Sequence, residues 1–168
     1  VEGKTFNLPQ HGFARDTTFK LEKLESHKAT FTIQWNEETL AKYPFKFLLR
    51  VIYEVIKNTL QITYQVENQD DKAILFSIGA HPAFNCPVLP SEKRSDYMLD
   101  FAQSEEAEKY LLDNGTFNGE TEQVLSNSSQ LPITDTLFNA DALVFKSLRS
   151  KSVDLKNGSG QPILTFHF

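Results

Sequence analysis

The sequence predicts an all-β chain folded as an antiparallel sandwich or barrel. Three observations carry that expectation. Apolar side chains recur with a period of two over several stretches, so one face of each would be buried and the other wet. The stretches are short and separated by polar, Gly- or Pro-containing turns. Only one short run, Glu37 to Lys42, reads as helix, and Pro44 stops it because a proline ring cannot continue the i→i−4 ladder.

Taken in order, residues 17–24 make a short strand. Ala29, Phe31, Ile33 and Trp35 then alternate with Thr30, Thr32 and Gln34, which reads as a half-buried strand. Residues 47–56 are richer: Phe47, Leu49, Val51, Tyr53 and Val55 share one side. The other side mixes Leu48, Ile52 and Ile56 with Arg50 and Glu54, as expected of a strand covered partly on both faces. Lys57-Asn58 makes a tight hairpin turn, with the asparagine taking a positive φ. Leu60, Ile62, Tyr64 and Val66 alternate with polar neighbours on the return strand, and residues 67–72 are a polar turn. Residues 73–78 read as an apolar strand leading to His81. Further short strands are predicted over 97–101, 109–112, 142–148, 152–155 and 163–168, with an exposed Gly/Asn-rich stretch over 114–122 and a Pro-containing loop over 87–96.

The chain has 168 residues, enough for a sizeable core, and residues 1–168 are expected to form one domain. Its net charge of -5 argues against nucleic acid or an anionic membrane surface as partner. No apolar stretch approaches a membrane span and no signal peptide is visible. Cys86 is the single cysteine, so no intrachain disulfide forms, which fits a reducing, cytoplasmic setting. The chain opens at Val1 and closes in a run that reads as an unfinished strand, so it is expected to be incomplete at both ends, a piece of a longer protein.

Four residues stand out for chemistry. His81 lies in Gly79-Ala80-His81-Pro82-Ala83-Phe84-Asn85, where small residues admit a ligand to the backbone and proline stiffens the turn. An imidazole held in this way suits a general acid, and the neighbouring aromatic and amide suit a sugar. A buried ring bonded to a backbone carbonyl is the structural alternative. His11 lies in the similar segment His11-Gly12-Phe13-Ala14-Arg15-Asp16. Arg15 offers a planar donor fork to a hydroxyl, carboxylate or phosphate, or else pairs with Asp16. Asp141, before the apolar run 142–145, either accepts hydrogen bonds from ligand hydroxyls or ends a strand in solvent. No metal-ligand spacing, phosphate loop or nucleotide fingerprint appears, so neither metal nor cofactor is expected. Cys86, five residues from His81, supports a Cys–His pair only weakly.

These motifs resemble the aldose 1-epimerases, the galactose mutarotase-like proteins, and within them the bacterial branch associated with lactose operons. The resemblance rests on the His11–Asp16 segment, Tyr43-Pro44-Phe45, the Gly79–Phe84 segment and Asp141-Ala142-Leu143-Val144-Phe145, in that order, and covers nearly the whole chain. It implies a large antiparallel β-sandwich, the supersandwich, binding a small-molecule sugar in a cleft on one sheet. It implies interconversion of the α and β anomers of a hexose or hexose phosphate without a cofactor. By the same resemblance His81 donates a proton to the ring oxygen, His11 helps bind the ring region, Asp141 holds hydroxyls and Arg15 lines the cleft. The glutamate that takes the proton of the anomeric hydroxyl lies, by the same resemblance, on a late strand C-terminal to the motifs matched here, and an early arginine-bearing strand is also absent. A non-catalytic carbohydrate-binding or sugar-sensing protein on the same sandwich is the alternative function, and a purely structural β-domain is a third.

Overall fold

A computed structural model describes residues 1–9, 11–139 and 141–168. Among them the chain is strand-rich, with one short α-helix, and no helix is long and apolar enough to cross a membrane. The strands form two separate antiparallel four-stranded sheets. They lie in two compact units, Val1–Ala80 and His81–Phe168. Each is described by itself.

The first unit holds β1 (Lys20–Leu24), β2 (Lys28–Gln34), β3 (Phe47–Ile56) and β4 (Thr59–Asn68), hydrogen-bonded in sequence order. The register sets Ile33 opposite Leu49, Phe31 opposite Val51, and Val51 in turn opposite Tyr64. Because side chains alternate, this brings the apolar period-two sets of β2, β3 and β4 onto one face. Ile33, Phe47, Leu49 and Val51 form its buried centre, covered by Phe13, Ala14, Phe19, Trp35, Tyr43, Val66 and Ile74. The opposite face mixes Leu48, Ile52 and Ile56 with charged groups. Arg50 bonds Glu22 on β1 through Nε at 3.0 Å and Glu67 on β4 through Nη1 at 2.8 Å, linking three strands.

Helix α1 (Glu37–Lys42) joins β2 to β3. Its start is encoded by Asn36, whose side chain accepts from the Thr39 amide at 2.9 Å while its own amide donates to the Thr39 hydroxyl at 2.8 Å. Two orphan donors of the first turn are thereby satisfied. The hairpin between β3 and β4 has its positive φ at Lys57, 57°, rather than at Asn58. A positive φ confined to the first loop residue is the sign pattern of a type II′ turn, which matches strand twist as well as type I′ does.

The second unit holds β5 (Met98–Asp113), β6 (Thr116–Pro132), β7 (Ser152–Lys156) and β8 (Pro162–His167), in the order β6-β5-β7-β8. Phe101, Ala107, Leu125 and Leu131 form its core, with Leu137, Leu143, Phe145 and Leu148 packed on them. The sequence reading is corrected here in three places. The separate strands expected at 97–101 and 109–112 are one bulged strand, β5. The stretch 114–122 is exposed, as expected, but most of it is strand: Asn114 (φ 50°) and Gly115 (φ 77°) form a two-residue turn into β6. Residues 142–148 make a single bridge, Tyr110 to Val144, because their apolar side chains pack on the core without a ladder.

The strand expected at 73–78 is also absent. Residues 73–85 carry no strand, and Leu75 is 73% exposed. An apolar run forms a strand only when another strand takes up its amides and carbonyls, and among the described residues none does so.

Candidate functional site

The first unit presents His11 and Arg15 on a short loop seated by its aromatic residue. The Gly12 amide donates to the Pro9 carbonyl at 2.8 Å, and Gly12 takes φ +63°, a left-handed conformation in which nothing lies within 4 Å of a Cβ position. A side chain there would be strained by the backbone rather than by crowding. Phe13 then turns inward, its ring 5.8 Å from Phe47 and 6.2 Å from Tyr43, while the Thr17 hydroxyl donates to its carbonyl at 2.8 Å. Anchored at Phe13 and Ala14, the loop leaves the His11 and Arg15 side chains exposed. The Arg15 guanidinium lies 3.7 Å from the Asp16 carboxylate with both side chains well exposed, an ion pair of little energetic weight.

The second unit presents His81 and Asp141. His81 is exposed, so the buried, carbonyl-bonded alternative does not hold, and it stands on irregular chain rather than at a strand end. Asp141 sits in a turn between Phe138 and Ala142. Its amide donates to the Phe138 carbonyl at 3.3 Å, and its carboxylate accepts from the Ala142 amide at 2.7 Å. Its φ of 87° is unusual for a residue with a side chain, and such strain persists only where neighbours hold it. Leu137 and Leu143, to either side of it in sequence, both pack on the core. The turn leaves Asp141 exposed. Cys86 is half-buried, and burial pushes its thiol up, so it lacks the thiolate character a nucleophile needs. Among the described residues no three His, Cys, Asp or Glu side chains gather as a metal site.

Two residues outside the expected set make well-defined hydrogen bonds, one in each unit. Tyr43, part of a motif singled out for its resemblance, lies among Phe13, Phe45 and Phe47 and donates its hydroxyl to the Leu75 carbonyl at 2.8 Å. Burial pushes its phenol up, so the ring keeps its proton. Glu105 is 1% exposed, and no pattern in its neighbourhood marks it. Its carboxylate accepts from the Ser150 hydroxyl at 2.6 Å, the Ser150 amide at 2.7 Å and the Arg149 amide at 3.1 Å.

A family model described as aldose 1-epimerase matches residues 2–164. The chain belongs to the aldose 1-epimerase family. Two curated relatives, the plasmid and chromosomal forms of Protein LacX from Lactococcus lactis subsp. lactis, are each 36% identical over 160 residues, 91% of this chain and 54% of theirs. Among solved structures, a galactose mutarotase related enzyme from Lactobacillus acidophilus matches with a TM-score of 0.85 and 34% identity, over 94% of this chain and 53% of that one. A galactose mutarotase-like protein from Lactobacillus casei ATCC 334 matches with a TM-score of 0.84 and 29% identity, over 96% and 56%. The chain thus spans about half the length of the relatives it matches.

Proposed function

We propose that this chain carries the acid and the hydroxyl-binding groups of an aldose 1-epimerase acting on a hexose or hexose phosphate in the cytoplasm. The observation that carries this reading is the family match over residues 2–164, which takes in both histidine motifs. The exposure of His11, Arg15, His81 and Asp141 supports it, since each is free to meet a ligand. His81 donates a proton to the ring oxygen while a carboxylate base, which the family resemblance implies C-terminal to the matched motifs, removes the proton of the anomeric hydroxyl. The ring opens, the aldehyde rotates, and closure reverses both transfers. An imidazole suits the acid role because it gives and recovers a proton near neutral pH.

The test is the polarimetric decay of fresh α-galactose in the presence of the full-length protein. Acceleration over the spontaneous rate supports the reading. Saturable sugar binding without acceleration would make the protein a carbohydrate-binding module instead.

Two variants refine the assignment. Asp141→Ala should raise KM for the hexose by about ten-fold or more, the scale of hydrogen bonds to a charged acceptor. Asp141→Asn, which keeps an acceptor oxygen, should lose less, and equal KM values for the two variants would remove Asp141 from the sugar site. Arg15→Ala separates substrates. If the physiological sugar is phosphorylated, the variant should lose far more activity on a hexose 6-phosphate than on the free hexose, and an equal effect on both would assign Arg15 to the sugar ring or to neither.

A further inference from the structure

We propose that Tyr43 is a positioning residue that holds the chain running into His81 through its hydroxyl. The proposal rests on the epimerase reading for its kinetic consequence only. Tyr43 is placed by the end of α1: its amide donates to the Thr39 carbonyl at 2.7 Å, and Pro44 then forces the chain out of the helix. The Phe45 amide turns back to the Tyr43 carbonyl at 2.8 Å. The ring is fixed by packing, with Phe45 4.9 Å, Phe47 5.7 Å and Phe13 6.2 Å away. Phe13 belongs to the loop that presents His11 and Arg15, so one side of this ring supports that loop.

The hydroxyl reaches Leu75, in the chain that leads toward the Gly79–Phe84 segment. After β4 the chain is held step by step: the Asn68 side chain donates to the Lys72 carbonyl at 2.9 Å, the Lys72 ammonium lies 5.6 Å from the Phe45 ring, Ile74 packs on the core, and Tyr43 bonds Leu75. From there to Val88, whose amide donates to the Tyr97 hydroxyl, the described residues make no hydrogen bond. His81 lies within that span. The Tyr43–Leu75 bond is therefore the last hydrogen-bonded fixed point before His81, and it is a single neutral bond that one atom can delete. A general acid is only as effective as its placement, so loosening its approach should lower turnover more than sugar affinity.

The experiment uses the full-length protein with Tyr43→Phe, which removes the hydroxyl and keeps the ring, and with Tyr53→Phe as control. Tyr53 packs edge-on against Phe31 in the same sheet and makes no hydroxyl bond among the described residues. Two readouts are taken: hydrogen–deuterium exchange of the peptide spanning residues 73–81, and kcat and KM for mutarotation. For Tyr43→Phe, exchange of that peptide should speed up and kcat should fall about five-fold with KM near wild type, the scale of one neutral hydrogen bond. Tyr53→Phe should move neither. Unchanged exchange in Tyr43→Phe overturns the tether. Faster exchange with unchanged kcat, or a rise in KM alone, overturns its positioning role. If the wild type itself does not accelerate mutarotation, the epimerase reading fails, while the exchange result still decides whether Tyr43 holds the segment.

Discussion

Replacing His81 by alanine is expected to remove most of the accelerated anomer exchange, a loss of about 10²–10⁴-fold in kcat, the range general acids contribute. The imidazole is the group proposed to protonate the ring oxygen, and the Cys86 thiol five residues on, pushed up by burial, is the weaker acid. The same substitution should leave thermal stability almost unchanged. His81 is exposed and makes no hydrogen bond among the described residues, so neither a core contact nor a buried polar partner is lost. Polarimetry of wild type and His81→Ala, with melting temperatures of both, checks the pair of claims. A folded variant with wild-type rate would eliminate His81 as the acid. A variant that loses activity only because it unfolds would show that the residue is structural.

Glu105→Ala should destabilise the protein by about 3 kcal/mol or more, because it strands the Ser150 hydroxyl and the Ser150 and Arg149 amides that now share one buried carboxylate. Burial by itself pushes the Glu105 carboxyl up. The Ser150 hydroxyl and amide and the Arg149 amide outweigh it, and the net position is below the ordinary value of 4.5. A carboxyl whose folded pKa is depressed stabilises the fold above its unfolded pKa, and that stabilisation is lost as pH falls through the lower, folded value. The stability gap between wild type and Glu105→Gln should therefore be full above about pH 5 and shrink in acid. Glutamine cannot replace the carboxylate at neutral pH, since its NH₂ would face a donor on one side. Denaturant melts of both proteins at neutral and acid pH measure the gap, and a gap independent of pH would mean that the Glu105 carboxyl titrates alike folded and unfolded, and a gap that widened in acid would mean that the fold holds it protonated.

The architecture of the first unit was legible from local pattern. Strands β2, β3 and β4 follow the alternation of their apolar residues, and α1 ends where Pro44 requires. The candidate residues His11, Arg15, His81 and Asp141 were legible as motifs, because small residues, proline and aromatics around a polar group leave a local signature. Glu105 and the Tyr43 hydroxyl bond left none. Their partners are 45 and 32 residues away in sequence, and nothing short-range says that those groups will meet. The β5–β6 hairpin had a usable signal in Asn114-Gly115, the strongest two-residue hairpin sequence, but its arms break the period-two pattern at several bulges.

By itself, then, the sequence determined the all-β antiparallel class, the faces of the first sheet, and family membership, since all three depend on residue types and their spacing. The tertiary structure decided the rest. It left 73–85 without a strand and drew 142–148 onto a core with a single bridge, because a strand exists only where another strand meets its hydrogen bonds. It also placed Asp141 at a φ that its own preferences disfavour, since packing on either side of a turn can outweigh the conformational cost of one residue.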